Sequence, residues 1–176
     1  MSTETGAVTT RSLLSPDWML AGFEPSGNTF QFVQVDRRTY QKSSFLDHRI
    51  QPIPTRVVSV TASQVDEMLD AAEPNPAGCI FHTAFCASTL LAFCFDHPSC
   101  TLVLREPLVL AHLASRLRGL SGVQDSEFEL LAKRVFAVLD RSYRGEQVVV
   151  KPSNFANALI PSWMNNSSNA TQRKAV

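Results

Sequence analysis

The sequence has no net charge and no long apolar segment. Its 16 Lys and Arg residues balance 16 Asp and Glu residues, so the chain as a whole does not attract nucleic acid or an anionic membrane surface. No stretch reaches the roughly 18 consecutive apolar residues of a membrane span, and the first residues lack the charged start and apolar middle of a signal peptide. We therefore expect a cytoplasmic protein with no nucleic-acid and no membrane partner.

Cysteine is scarce, and its spacing argues against two common roles. Cys79, Cys86, Cys94 and Cys100 never form a Cys-x-x-Cys pair, which disfavours a zinc knuckle and a secreted disulfide framework. The histidines are too scattered to indicate a metal site. We expect buried, reduced thiols and no metal, with Cys86 as the exception, because it lies in a loop before a helix start, where a thiolate is stabilised.

The order of apolar segments predicts the fold class. From about residue 57 onwards, β-like runs alternate with segments of helical periodicity, which predicts a three-layer α/β domain with a mainly parallel sheet. We expect a mobile leader over residues 1–15, a single domain over 16–164 and a disordered tail over 165–176, because neither end shows a periodic pattern of apolar residues.

Three individual elements carry specific expectations. Residues 30–35 alternate apolar and polar side chains, which is typical of an edge strand with one solvated face. Val57–Thr61 is β-branched and predicts a strand early in the alternating series. Residues 88–95 are apolar on every side, and a helix of that kind is normally buried.

Three of the apolar runs end in polar residues. The run that follows Gly78 ends in a loop of small and hydroxylic residues that opens a helix at Ser88, the next run ends at Arg105, and the last ends at Lys151. The carboxyl ends of parallel strands meet at one edge of a sheet, where ligands usually bind. A loop that opens a helix presents backbone N–H groups to a phosphate. The sequence therefore predicts one site for an anionic ligand.

The loop is not a Walker A motif. That motif needs a glycine and a lysine before its Ser or Thr, and neither is present after Gly78. An ordinary ATPase or kinase is thus disfavoured. Ser88 and Thr89 can hold a phosphate with the loop amides, and Ser88 equally fits a plain helix cap, because Ser and Thr lead the N-cap ranking.

Three segments resemble motifs of the sulfotransferase family. Ala84–Leu91 resembles the phosphosulfate-binding loop, whose usual form is Pro-Lys/Arg-Ser-Gly-Thr-Thr followed by two bulky residues. Leu104–Pro107 resembles the Arg-x-Pro motif that follows a strand, and Lys151–Asn154 is similar to a Lys-Thr/Ser-Pro-type element after a later strand. The resemblance covers roughly residues 78–155, about half of the chain; family domains usually run well past 200 residues.

The resemblance implies a fold, a donor and a set of binding residues. The fold is a P-loop-like α/β domain, and the donor is PAPS (3′-phosphoadenosine 5′-phosphosulfate), from which a sulfuryl group passes to a small-molecule hydroxyl acceptor. The donor's 5′-phosphosulfate is expected on Cys86, Ala87, Ser88 and Thr89, and its 3′-phosphate on Arg105.

The loop departs from the family pattern at two positions. Phe85 stands where the family keeps a lysine or arginine, and Ala87 stands where a glycine normally lets the backbone approach the phosphate. Loss of one such electrostatic contact commonly adds roughly 3 to 4 kcal/mol to a barrier. We predict that Lys151 replaces the missing cation. The first candidate for the base that takes the proton of the acceptor's hydroxyl group is His82, and the second is His112. Each lone histidine also fits an ordinary hydrogen-bonded residue.

Two functions therefore stay open. One is a PAPS-dependent sulfotransferase, and the other is a non-catalytic or truncated P-loop-like domain that binds a nucleotide or a protein partner without turnover.

Overall fold

The structure is a computed structural model that describes residues 9–72, 75, 77–119 and 125–173. The strands are β1 Trp18–Phe23, β2 Thr29–Gln34, β3 Val57–Thr61, β4 Gly78–Cys79, β5 Thr101–Arg105 and β6 Gln147–Lys151. The α-helices are α1 Arg37–Lys42, α2 Ala62–Asp70, α3 Ser88–Phe95, α4 Leu108–Gly119, α5 Ser126–Leu139 and α6 Ile160–Arg173, and 3-10 helices cover Thr10–Leu14 and Asn154–Leu159.

The first sheet is antiparallel and has the order β1-β2-β3. Strand β2 alternates as its sequence indicates, with Phe30 and Phe32 fully buried and Gln31 and Gln34 exposed. The expected edge position is wrong, because β2 pairs on both sides. Strand β3 is likewise an antiparallel partner of β2 and lies outside the parallel sheet in which the alternation predicted it.

The second sheet is parallel and has the order β4-β6-β5. Its strands are short apolar runs, and Leu102, Val103, Val148 and Val150 are at most 2% exposed. Parallel strands are buried on both faces and therefore read as continuous apolar runs. The prediction of an α/β protein with a parallel sheet is confirmed at that level.

Both sheets belong to one continuous hydrophobic core. Phe30 and Phe32 from the antiparallel sheet pack in the same cluster as Leu102 and Val150 from the parallel sheet. The core thus fixes the parallel sheet against the rest of the chain, and its carboxyl edge carries the candidate site.

Two helical elements fall within the segments expected as leader and tail. The 3-10 helix Thr10–Leu14 lies inside the expected leader, and its Leu13 is 1% exposed. Helix α6 crosses the expected start of the tail at residue 165 and ends at Arg173. The domain limits themselves stay predictions, and residues 1–8 and 174–176 lie outside the described residues.

Candidate functional site

The chain leaves the parallel sheet after β4 and enters α3 through a left-handed loop. Phe85 and Ala87 have φ values of 57° and 58°, a region that residues other than glycine seldom adopt. Ala87 is the N-cap of α3 and supplies no side-chain hydrogen bond. The first amides of a helix have no acceptor within the helix, so this helix start offers donors to an external acceptor.

Ser88 and Cys86 lie together at the mouth of α3. Ser88 is 8% exposed, whereas Cys86 is exposed and its Sγ donates to the carbonyl oxygen of Thr83 at 2.9 Å. The hydrogen bond from Ser88 lowers the pKa of the Cys86 thiol, and the backbone N–H groups of Ser88 and Cys86 act in the same direction. The Ser88 hydroxyl and the loop amides therefore favour negative charge on the Cys86 sulfur.

Lys151 approaches the same helix start from the end of β6. Its side chain is 1% exposed, and its Nζ lies 3.3 Å from the Thr89 hydroxyl oxygen and forms an ion pair with the Glu106 carboxylate. β6 pairs directly with β4, so the last residue of β6 lies beside the loop that follows β4. The fold thus brings Lys151 to Thr89, although 62 residues separate them in the sequence.

His82 lies in the same loop with both ring nitrogens engaged. Its Nδ1 is 2.8 Å from the carbonyl oxygen of Thr83, and its Nε2 is 2.9 Å from that of Pro152. A carbonyl oxygen accepts only from an N–H group of the ring, and the neutral ring carries one N–H. Both ring nitrogens of His82 therefore face acceptors, and the side chain ties the loop to the segment after β6.

His112, the second histidine considered, lies on α4. It is exposed and sits against Gly22 of β1, where a Cβ added to that glycine would lie 3.5 Å from its Nδ1. It does not line the cavity beside α3.

A cavity of about 500 Å³ opens between the loop and the 3-10 helix that follows β6. This volume falls in the range of small-molecule sites. The Asn157 side chain donates from Nδ2 to the His82 carbonyl oxygen at 3.0 Å, while its buried Oδ1 has no hydrogen-bond partner. The cavity is lined by Ile80, Phe81, His82, Thr83, Cys86, Ser88, Leu91 and Asn157.

Arg105 lies away from the helix start. Its side chain is fully buried; Nη1 lies 2.7 Å from Asp96, Nε donates to the Ser43 carbonyl oxygen at 2.7 Å, and Nη2 donates to that of Tyr40. Asp96 follows the last residue of α3, and eight helical residues span roughly 12 Å. The 3′-phosphate role expected for Arg105 stays a prediction, and it would require the guanidinium to leave these partners in the core.

The Asp96 carboxylate also accepts a hydrogen bond from a second arginine. Arg37 Nη2 lies 2.6 Å from Asp96, and its Nε lies 3.1 Å from Glu146. The Arg37 side chain is 17% exposed. Arg37, Asp96, Arg105 and Glu146 thus form an ion-pair network. The positions of charged residues in the sequence did not indicate this network, because its members come from four separate segments.

Helix α3 exposes most of its apolar side chains, contrary to the prediction of a buried helix. Within the described structure only Ser88 and Ala92 of this helix are buried, whereas Leu90 is 67% and Phe95 49% exposed. Phe85, in the preceding loop, is 108% exposed. Several exposed apolar side chains therefore adjoin the candidate site.

The fold and the loop together define an α/β protein with a candidate anion site where a parallel strand leads into a helix. Comparison of the chain with protein-family models, curated proteins and solved structures finds no match in any of the three. Among the described residues, no helix is long and apolar enough to cross a membrane. The same part of the chain contains no group of three or more His, Cys, Asp or Glu side chains placed to hold a metal ion.

Proposed function

We propose that this protein binds a phosphoadenosine-type nucleotide at the start of α3 and that PAPS is its sulfuryl donor. The observation that carries the proposal is the position of Lys151, whose ammonium lies 3.3 Å from the Thr89 hydroxyl in the first turn of α3. Backbone amides, two hydroxyl groups and one buried cation then surround the 5′-phosphate end of the nucleotide.

The order of the parallel strands supports this location. β6 lies between β4 and β5, so the segments after β4, β5 and β6 are neighbours at one edge of the sheet. Ligands of α/β proteins bind outside the carboxyl ends of such strands. A three-layer P-loop-like arrangement belongs to the proposal, with the loop over residues 84–88 as its phosphate-binding element.

Transfer of the sulfuryl group makes two further demands. The bond from sulfur to the donor's phosphate oxygen breaks while a bond to the acceptor's hydroxyl oxygen forms, and the hydroxyl proton must pass to a base. Lys151 is the group that counters the negative charge on the leaving phosphate. His82 would serve as the base only after releasing one of its two carbonyl partners.

The engaged state of His82 favours a second candidate, which is nucleotide binding without turnover. In that case the loop serves as a binding element, and the apolar surface of α3 contacts a protein partner. Phe85 is consistent with this alternative, because it places an apolar ring where a sulfotransferase keeps a cation.

A thermal-shift titration with adenosine 3′,5′-bisphosphate, with ATP for comparison, tests the binding. A ligand at 100 times its Kd stabilises the folded state by about 2.7 kcal/mol, so a selective rise in melting temperature is expected. Lys151→Met should abolish the rise, and Lys133→Met, at an exposed position of α5, should retain it. A chain that melts cooperatively and responds to neither nucleotide would contradict the proposal.

Turnover is tested separately with labelled PAPS and a panel of hydroxyl acceptors. Production of bisphosphate that depends on an acceptor supports the transferase. Binding without any product, under the same conditions, supports the non-catalytic candidate.

A further inference from the structure

From the geometry around Lys151 we infer that the Glu106 carboxylate occupies, in the ligand-free protein, the position that an anionic group of the ligand takes beside Lys151. The inference rests on the proposed function, because it concerns the same site. It makes Glu106 a residue that sets the affinity of the site by competing with the ligand.

The two members of this ion pair differ in exposure. The Lys151 side chain is 1% exposed, and the Glu106 side chain is 21% exposed. The carboxylate is thus the half of the pair that solvent reaches. A ligand that arrives from solvent meets Glu106 first and must replace it to contact the ammonium.

The backbone holds Glu106 in an unusual conformation next to Lys151. Its φ is 50°, in the left-handed region, and it precedes Pro107, a context that favours extended backbone. Its N–H donates to the Lys151 carbonyl oxygen at 2.7 Å. Strained residues that the surrounding structure enforces are concentrated at ligand sites and switch regions. The carboxylate is therefore held beside Lys151 by backbone contacts as well as by charge.

The energetics of a buried cation make the competition measurable. Removing one partner of a buried ion pair is strongly destabilising, because the other charge stays buried without compensation. A bound phosphate restores that compensation. A variant without the Glu106 carboxylate should therefore lose stability when free and regain it with an anion, and it should bind the anion more tightly because no like charge remains to be displaced.

Glu106→Gln in the full chain, titrated with inorganic phosphate and with adenosine 3′,5′-bisphosphate, tests the inference. We expect a lower melting temperature without ligand and half-maximal stabilisation at a concentration about tenfold below that of the unmodified chain. Asp66→Asn is the matched control: it changes the net charge equally and breaks an ion pair, that with Arg134, away from the site, so it should leave the phosphate response unchanged.

The outcomes separate this inference from the proposed function. If the unmodified chain binds the bisphosphate and Glu106→Gln binds it equally or more weakly, the competition is refuted and the binding function stands. If neither chain responds to either anion, both proposals fail. If Glu106→Gln does not fold, Glu106→Asp retains the charge but retracts it by one methylene, and unchanged phosphate affinity in that variant would also overturn the inference.

Discussion

Replacing Arg105 separates a structural role from a ligand-binding role at one position. The Arg105 side chain is 0% exposed, and its guanidinium contacts the Asp96 carboxylate and the carbonyl oxygens of Ser43 and Tyr40. Loss of one partner of a buried pair costs about 3–5 kcal/mol. Asp96 retains Arg37, which reduces that cost to about 3 kcal/mol. At least about 1 kcal/mol is added for the two carbonyl oxygens left without a donor.

We therefore expect Arg105→Met to lower the free energy of unfolding by about 4 kcal/mol in the absence of any ligand. In urea unfolding followed by circular dichroism, this corresponds to a midpoint roughly 2 M lower, for a denaturant dependence of about 2 kcal/mol per molar. Arg38→Met, at an exposed position of α1, is the control and should leave the midpoint nearly unchanged.

Asp96→Asn provides an independent check of the same network. It leaves the guanidinium groups of Arg37 and Arg105 without their shared carboxylate, so we expect a loss at least as large as that of Arg105→Met. A folded Arg105→Met chain that loses less than about 1 kcal/mol would refute the structural role. If that chain also lost its response to bisphosphate, Arg105 would be a phosphate ligand after all.

Three further predictions concern pH, thiol reactivity and charge. Burial raises the pKa of Asp140 from 3.8 to about 7, because the folded protein favours the protonated carboxyl group. The stabilising contribution of this group is therefore complete below about pH 4 and is lost as the pH rises through 7. In urea unfolding at pH 8, Asp140→Asn should stabilise the protein by up to about 4 kcal/mol. The hydrogen bond from Ser88 lowers the pKa of Cys86, whereas burial raises that of Cys79 to about 12, so iodoacetamide should alkylate Cys86 first and bisphosphate should slow that reaction. Phe85→Lys should tighten bisphosphate binding about tenfold in the thermal-shift titration, because the side chain is 108% exposed and a lysine there adds a cation at the loop.

Each of these predictions has a control and a contradicting result. Stability of Asp140→Asn that falls between pH 4 and 8 as steeply as in the unmodified chain would exclude Asp140 as the titrating group. Peptide mapping that finds Cys94 or Cys100 alkylated before Cys86 would contradict the stabilised thiolate. Phe85→Gln is the uncharged control for Phe85→Lys, and equal affinities for both would show that the loop does not contact a phosphate.

Local sequence patterns predicted the parallel strands and the position of the loop. Residues 101–104 and 147–150 are short apolar runs, and buried parallel strands typically have such sequences. We expected the ends of these strands to meet because the carboxyl ends of parallel strands lie at one edge of a sheet. Lys151 does lie beside Thr89. Alternation alone did not reveal the pairing of β3, because a β-branched run fits either kind of sheet.

The helix boundaries and the exposure of α3 show where local patterns are insufficient. An apolar helix is buried only if other elements cover it, and in the described structure only Ser88 and Ala92 of α3 are buried. The extension of α6 to Arg173 was missed because polar residues without a period of burial carry little helical signal.

The sequence by itself determined the apolar strands, the turn into α3 and the absence of a Walker lysine, since each depends on neighbouring residues. Only the tertiary structure decided which charges are partners. Arg105 and Asp96 pair at one end of α3, and Lys151 and Glu106 pair at the other, although Arg105 and Glu106 are adjacent in sequence. The physical reason is that successive residues at the end of a strand point to different sides, so their partners come from whichever distant segments the core packs there.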